Sequence, residues 1–154
     1  MTVEFRPVTA ENWRALIKLQ VREDQRGFVA SNVFSIAESQ FGFEDEGHWN
    51  LHPFGIYADG EPVGFVMYGL NLAHPRFQGF IERLMVDESV QGKGFGREAM
   101  KQVLDTLRAR EHIRAVAISY EPHNQVARTL YASLGFVETG EMLGNETLAV
   151  LQLH

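Results

Sequence analysis

The order of predicted elements gives this chain a mixed α/β sheet. Three stretches carry the prediction. Phe54–Tyr57 and Val63–Tyr68 flank Asp59-Gly60, a dipeptide suited to a two-residue type I′ turn, and read as a hairpin within Pro53–Leu70. The apolar run Phe80–Val86 passes through Gln91-Gly92-Lys93-Gly94-Phe95-Gly96-Arg97 into a helix from Arg97 to Arg110. A strand at Ala115–Tyr120 then precedes a helix starting at Asn124, and two strands close the chain.

The remaining elements follow in order. Thr2 to Pro7 alternates, with Val3 and Phe5 apolar, and predicts a first strand. Thr9 can cap a helix carrying Trp13, Leu16 and Ile17 on one face. After Gly27, Ser31 or Asn32 can cap a second helix through Val33, Ile36 and Ala37, and Gly42 to Trp49 reads as a loop holding Glu44-Asp45-Glu46. Asn71 to Gln78 is a further loop. On the long helix Met100, Val103, Leu104 and Leu107 recur at i, i+3, i+4 and i+7, a core-facing stripe. Ala127, Leu130 and Leu134 face inward on the following helix, and Gly135 stands where a left-handed C-cap is wanted. Phe136-Val137 begins one closing strand, and Thr147–Leu153 forms the other after Gly144-Asn145.

Composition narrows the function. The chain has 154 residues, 45% of them hydrophobic, enough for one substantial core. A formal charge of −6 argues against nucleic-acid binding, which needs basic clusters to displace counterions, and suits a cationic small molecule. No cysteine is present, so disulfides, thiolate metal sites and acyl-cysteine chemistry are excluded. No apolar run is long enough for a membrane span, and the N-terminus lacks a charged n-region followed by an h-region. A soluble, cytoplasmic protein is expected.

Three glycines at alternate positions, Gly92, Gly94 and Gly96, allow close backbone approach to a ligand. The converging N–H groups and the start of the next helix favour a phosphate there. Gln91, Gly94 and Gly96 match position for position the Gln-x-x-Gly-x-Gly pyrophosphate motif of the GNAT superfamily of N-acetyltransferases. A second stretch, Asn124 to Phe136, resembles that superfamily's Asn-x-x-Ala-x-x-Leu-Tyr-x-x-x-Gly-Phe signature. Within the superfamily the chain is similar to the bacterial spermine/spermidine acetyltransferases through Arg83-Leu84-Met85-Val86, Gln91–Gly96, and the stretches Phe28–Asn32 and Ser35–Glu38.

The resemblance implies one acetyltransferase domain over residues 1–154, with a mostly antiparallel mixed central sheet flanked by helices. It implies acetyl-CoA as acetyl donor, no metal, and direct transfer to a primary amine of a polyamine in a ternary complex. Alternative acceptors are a protein N-terminus, an amino acid or an aminoglycoside. A non-enzymatic coenzyme A sensor is the rival class; it would tolerate loss of Tyr131, which is present. A homodimer through C-terminal strands is also implied.

Such a transfer needs a neutral amine, donors for the tetrahedral oxyanion and a proton for the leaving thiolate. By resemblance the cofactor is held by Gln91, Gly92, Lys93, Gly94, Phe95, Gly96 and Arg97, and its pantetheine arm by the main chain of Leu84, Met85 and Val86. Asn124 is expected on that arm and Tyr131 at the thioester sulfur, as general acid. Asn124 reads equally as an N-cap. Seven residues are almost two helical turns, so the two project from one face. Glu82, two residues before Leu84 and on its side of an alternating strand, is the candidate base or amine ligand; it also fits a strand-end glutamate paired with an arginine. Glu38 and Glu44-Asp45-Glu46 are candidates for the remaining ammonium groups of a polyamine, although an acidic triplet also suits a solvated turn. His123 fits an exposed loop better than a proton relay. His48 and His52 lack a third metal ligand.

Overall fold

Asp59 and Gly60 both adopt positive φ, 51° and 80°, as a type I′ turn requires. They join the two longest strands of the computed structural model, which describes residues 2–27 and 30–154. Phe28 and Val29 of the polyamine-like stretch lie outside the described residues. The elements are β1 (Glu4–Pro7), α1 (Trp13–Ile17), α2 (Asn32–Ser39), β2 (Phe43–Glu44), β3 (His48–Ala58) and β4 (Glu61–Leu70). They continue with β5 (Gly79–Val86), α3 (Phe95–Arg108), β6 (Ala115–Tyr120), α4 (Gln125–Ser133), β7 (Val137–Leu143) and β8 (Glu146–Gln152).

The sheet runs β1-β3-β4-β5-β6-β8-β7, with β2 paired to β3. Every pairing is antiparallel except β5 with β6. The predicted mixed, mostly antiparallel sheet is therefore the observed one. No helix among the described residues is long and apolar enough to cross a membrane.

The parallel pair positions everything that follows. It holds only at Gly79 opposite Val116, Phe80 opposite Ala117 and Ile81 opposite Ile118. Beyond these β5 continues to Val86 paired only with β4, while β6 stays paired to β8 as far as Tyr120. The two central strands part, leaving the main chain of Glu82–Val86 without a strand partner on that side. A second irregularity coincides: opposite β4, Met67 faces Arg83 and Tyr68 faces Ile81, so Glu82 is an extra residue in the ladder, a β-bulge.

α3 closes one face of the sheet. Ala99, Met100, Val103, Leu104 and Leu107 are all buried, so the predicted stripe faces the core. α4 ends at Gly135 (φ 101°), where the Phe136 N–H reaches the Tyr131 carbonyl and the Gly135 N–H the Ala132 carbonyl.

Four local expectations are corrected. The helix after the glycine loop starts at Phe95, not Arg97, because Gly94 itself is its N-cap. The first helix is assigned only from Trp13, with Thr9 heading the turn before it, its hydroxyl accepting from the Glu11 N–H and its carbonyl from the Trp13 N–H; α1 is a single short segment whose Leu16 alone is buried. Ser31 does cap α2, accepting from the Phe34 N–H, but α2 turns Asn32 and Ser35 inward and leaves Val33 exposed. Its inner face meets a backbone carbonyl, Leu16 O, and the Arg83 guanidinium, so polar side chains fit there. Finally, the stretch read as a loop from Gly42 to Trp49 contains β2 and the start of β3. β3 runs through Pro53, one residue beyond the end of its pairing with β1, which reaches only Phe54.

Candidate active site

A cavity of about 1130 Å³ occupies the space between the parted strands, more than one drug-sized ligand needs. β5 from Phe80 to Val86 forms one wall; Ile118, Ser119 and Tyr120 of β6 form the other. The glycine loop and the first turn of α3 close one end. Asn124, Ala127, Leu130 and Tyr131 of α4 line the side.

At the loop end, Gly92 and Gly94 have positive φ, 80° and 88°. A branched side chain at either would be forced into a left-handed conformation it rarely adopts. No side chain caps α3 at Gly94, and the first ladder bond there runs from Glu98 N to Gly94 O. The N–H groups before Glu98 are thus left for an anion at the helix's positive end. Gln91, Gly92, Gly94, Phe95 and Gly96 line the cavity, whereas Lys93 and Arg97 are exposed side chains outside its lining. Arg97 donates to Ser133 Oγ at 2.8 Å, joining α3 to α4 instead of turning inward. Gln91 braces the loop from within. Its Nε2 donates to the Val86 carbonyl (2.9 Å) and to Gln25 Oε1 (3.0 Å), tying the loop to the end of β5.

Asn124 caps α4, its side-chain oxygen accepting from the Ala127 N–H at 3.2 Å. It lines the cavity with Tyr131, so the seven-residue spacing brings both to one wall. Asn124→Ala should lower stability by about 1 kcal/mol, seen as a lower urea midpoint. Asn124→Ser keeps the cap; if cofactor affinity still falls in this variant, the amide also reaches the cofactor.

Tyr131 is buried, packed against Tyr120 (ring centroids 5.6 Å apart) and Phe136 (6.0 Å). Its hydroxyl has no hydrogen-bond partner among the described residues. Burial pushes its pKa well above the usual tyrosine value, with the charges of Tyr120 and Glu146 acting in the same direction. The phenol therefore keeps its proton at neutral pH.

Glu82 occupies the bulge with only 12% of its side chain exposed. Burial pushes its carboxyl up to about 7; Arg83 opposes this, and the negative charges of Glu38 and Glu146 add to it. The bulge also interrupts the alternation that would put Glu82 and Leu84 on one side by spacing, though both line the cavity. Arg83 Nη1 lies 3.4 Å from Glu82 Oε2, so the expected pairing of this glutamate with an arginine is present.

The acidic candidates separate. Asp45 and Glu46 line the cavity; their main-chain carbonyls accept from Trp49 Nε1 and Asn71 Nδ2, which fixes the turn, and neither carboxylate has an ion-pair partner among the described residues. Glu44 does not line it and pairs with His48. Nor does Glu38, whose carboxylate is 3.2 Å from Arg83 Nη2. His123 is exposed. His48 and His52 lie on a strand, where four residues separate them by roughly 13 Å. Among the described residues no group of three or more His, Asp or Glu could hold a metal.

Sequence reasoning missed Glu146 and His74. Glu146 lines the cavity and accepts from Ser119 Oγ at 2.7 Å. It reaches the site because β8 pairs with β6 with Thr147 opposite Tyr120, a long-range register no local pattern announces. Buried His74 accepts at Nδ1 from the Arg76 and Phe77 N–H groups and stacks on Phe77, which holds the ring as the neutral tautomer. Burial lowers its pKa accordingly.

The model of the acetyltransferase (GNAT) family matches residues 7–136. The chain is 28% identical over 146 residues to the spermine/spermidine N(1)-acetyltransferase of Bacillus subtilis (strain 168), covering 92% of each chain. Its fold is similar to that of spermidine N-acetyltransferase from Vibrio cholerae, solved with CoA and spermine: TM-score 0.74, 16% identity, 99% of this chain and 96% of that one. It is also similar to the ribosomal-protein-S18-alanine N-acetyltransferase from Escherichia coli: TM-score 0.71, 17% identity, 99% and 94%.

Proposed function

The chain belongs to the acetyltransferase (GNAT) family, and from that footing we propose that it is an acetyl-CoA-dependent N-acetyltransferase acting on a primary amine of a polyamine such as spermine or spermidine. The observation that carries the proposal is the parting of β5 and β6, which sets a buried carboxyl, Glu82, and a buried phenol, Tyr131, in the lining of one cavity. The similarity to the Bacillus subtilis spermine/spermidine enzyme supports the choice of acceptor.

The residues present fit coenzyme A. The uncapped start of α3, with Gly92, Gly94, Phe95 and Gly96, would hold its phosphates, and Gln91 would brace that loop. The main chain of Leu84, Met85 and Val86, open on the β6 side, would hold the pantetheine arm, and Asn124 borders the same wall. Bound acetyl-CoA supplies the acetyl group as a thioester. Glu82, with a pKa near 7, accepts a proton from the attacking amine. Tyr131 Oη holds a proton for the departing sulfur. Asp45 and Glu46 face the amine's distal ammonium groups, with Glu82 nearest the reaction. The same reading includes a cytoplasmic homodimer joined through β7, an edge strand whose residues are all exposed; sedimentation velocity at two concentrations reads its state.

The test of the acceptor is a double variant, Asp45→Asn with Glu46→Gln, assayed with spermidine and with butylamine. kcat/KM for spermidine should fall by roughly tenfold or more, a loss of charge-assisted contact, while butylamine, lacking a second ammonium, is unaffected. Equal changes for both amines would remove the acidic turn from substrate selection and with it the support it gives to a polyamine. A protein N-terminus, as in the Escherichia coli neighbour, would then be the next acceptor to assay.

A further inference from the structure

The base proposed above does not stand alone. Arg83, the next residue on β5, is held on three sides. Its Nε donates to Ser35 Oγ at 3.1 Å, and that hydroxyl in turn donates to the Ser31 carbonyl. Its Nη2 lies 3.2 Å from Glu38 Oε1. Its Nη1 donates to the Glu82 carbonyl at 2.7 Å and lies 3.4 Å from Glu82 Oε2. Ser35 is fully buried, and 20% of the Arg83 side chain is exposed. The planar guanidinium fork thus divides between a carboxylate outside the cavity and one inside it, an arrangement the single ammonium of lysine cannot copy.

We infer that Arg83 is a positioning residue that fixes the Glu82 carboxyl at the bulge, and that Glu38, drawing on the same guanidinium through its other terminal nitrogen, sets how much of that charge Glu82 meets. The inference rests on the reading of Glu82 as the acceptor-side base. It gives α2 a purpose its exposed apolar residues do not: through Ser35 and Glu38, the helix that packs beside the cavity governs the charge that Glu82 meets.

The charged groups that face Glu82 are Arg83 on its own strand, Glu38 on α2 and Glu146 on β8. Removing the Glu38 charge takes away a repulsion and frees Arg83 for Glu82; both favour the carboxylate. Glu82 then ionises at lower pH, and its basic form survives further into acid. Removing the Arg83 charge leaves Glu82 facing two carboxylates, so it ionises at higher pH. The two variants therefore move one titration in opposite directions, which a role in packing alone would not do.

The experiment is a pH titration of Glu38→Gln, Arg83→Met and wild type, followed by the side-chain carboxyl carbon resonance of Glu82, assigned by its loss in Glu82→Gln. The same proteins are assayed for kcat/KM at saturating acetyl-CoA. Wild-type Glu82 titrates near pH 7; Glu38→Gln lowers its midpoint, and Arg83→Met raises it, each by roughly one pH unit. The acid limb of kcat/KM moves with the resonance, because ionisation of the amine itself is common to all three proteins. Midpoints that stay at the wild-type value in both variants overturn the inference. Should Arg83→Met fail to fold, Glu38→Gln alone decides it by the sign of its displacement. Full activity in Glu82→Gln would instead defeat the base assignment, while the resonance still judges the Arg83–Glu38 linkage.

Discussion

Tyr131→Phe lowers kcat by roughly ten- to a thousand-fold, the scale of lost general-acid assistance, with acetyl-CoA affinity nearly unchanged. The change removes one oxygen from a buried ring held by Tyr120 and Phe136, so the packing that positions the side chain survives. The hydroxyl forms no hydrogen bond among the described residues, and its removal strands no buried partner. Loss of rate therefore reports the proton. With the phenol pKa pushed upward, the wild-type hydroxyl stays protonated across the assay range, and its contribution is the same on both sides of the Glu82 limb near pH 7. Steady-state kinetics with direct calorimetry of acetyl-CoA binding separates kcat from affinity. Wild-type turnover in the variant would take Tyr131 out of the mechanism.

Gly94→Val abolishes measurable acetyl-CoA binding. Gly94 caps α3 at φ 88°, a conformation that costs a β-branched residue on the order of 1–2 kcal/mol or more. The side chain would also stand at the N–H groups the helix leaves free for phosphate. Relief of the strain would require the loop to turn those donors away. Circular dichroism checks that the fold persists, and calorimetry then reads the binding. Unchanged affinity in a folded variant would dismiss the phosphate-loop assignment.

The legible parts of this protein were those written in neighbouring residues. The Asp59-Gly60 turn, the Ser31 and Asn124 caps, the stripe on α3 and the Gly135 terminus all rest on contacts within a few positions, and each forms as its residues demand. The glycine loop is local in the same sense, whereas Tyr131 is singled out by the resemblance of Asn124–Phe136 to a family signature.

Features made by distant pairing were not legible. The bulge at Glu82 depends on the register of β5 against β4, and the arrival of Glu146 depends on that of β8 against β6. Glu38 and Arg83 are 45 residues apart, so nothing in either neighbourhood marks them as a pair. The acidic triplet shows the limit most directly. The turn is fixed by hydrogen bonds from the distant Trp49 and Asn71 side chains to the Asp45 and Glu46 carbonyls; Asp45 and Glu46 line the cavity while Glu44 pairs with His48. The charged side chains beside the loop show the same dependence on the fold. Lys93 and Arg97 flank the glycines in sequence, yet in the fold the positive end of α3 meets the cavity and their side chains lie outside it.

The most direct measurement is free-thiol release from acetyl-CoA with spermine, spermidine, putrescine, lysine, an aminoglycoside and a peptide as acceptors. Saturable turnover with spermine or spermidine, well above that with the other amines, is the predicted result. Acetyl-CoA binding without thiol release for any amine on the panel would contradict an amine acetyltransferase of this specificity and favour a coenzyme A sensor.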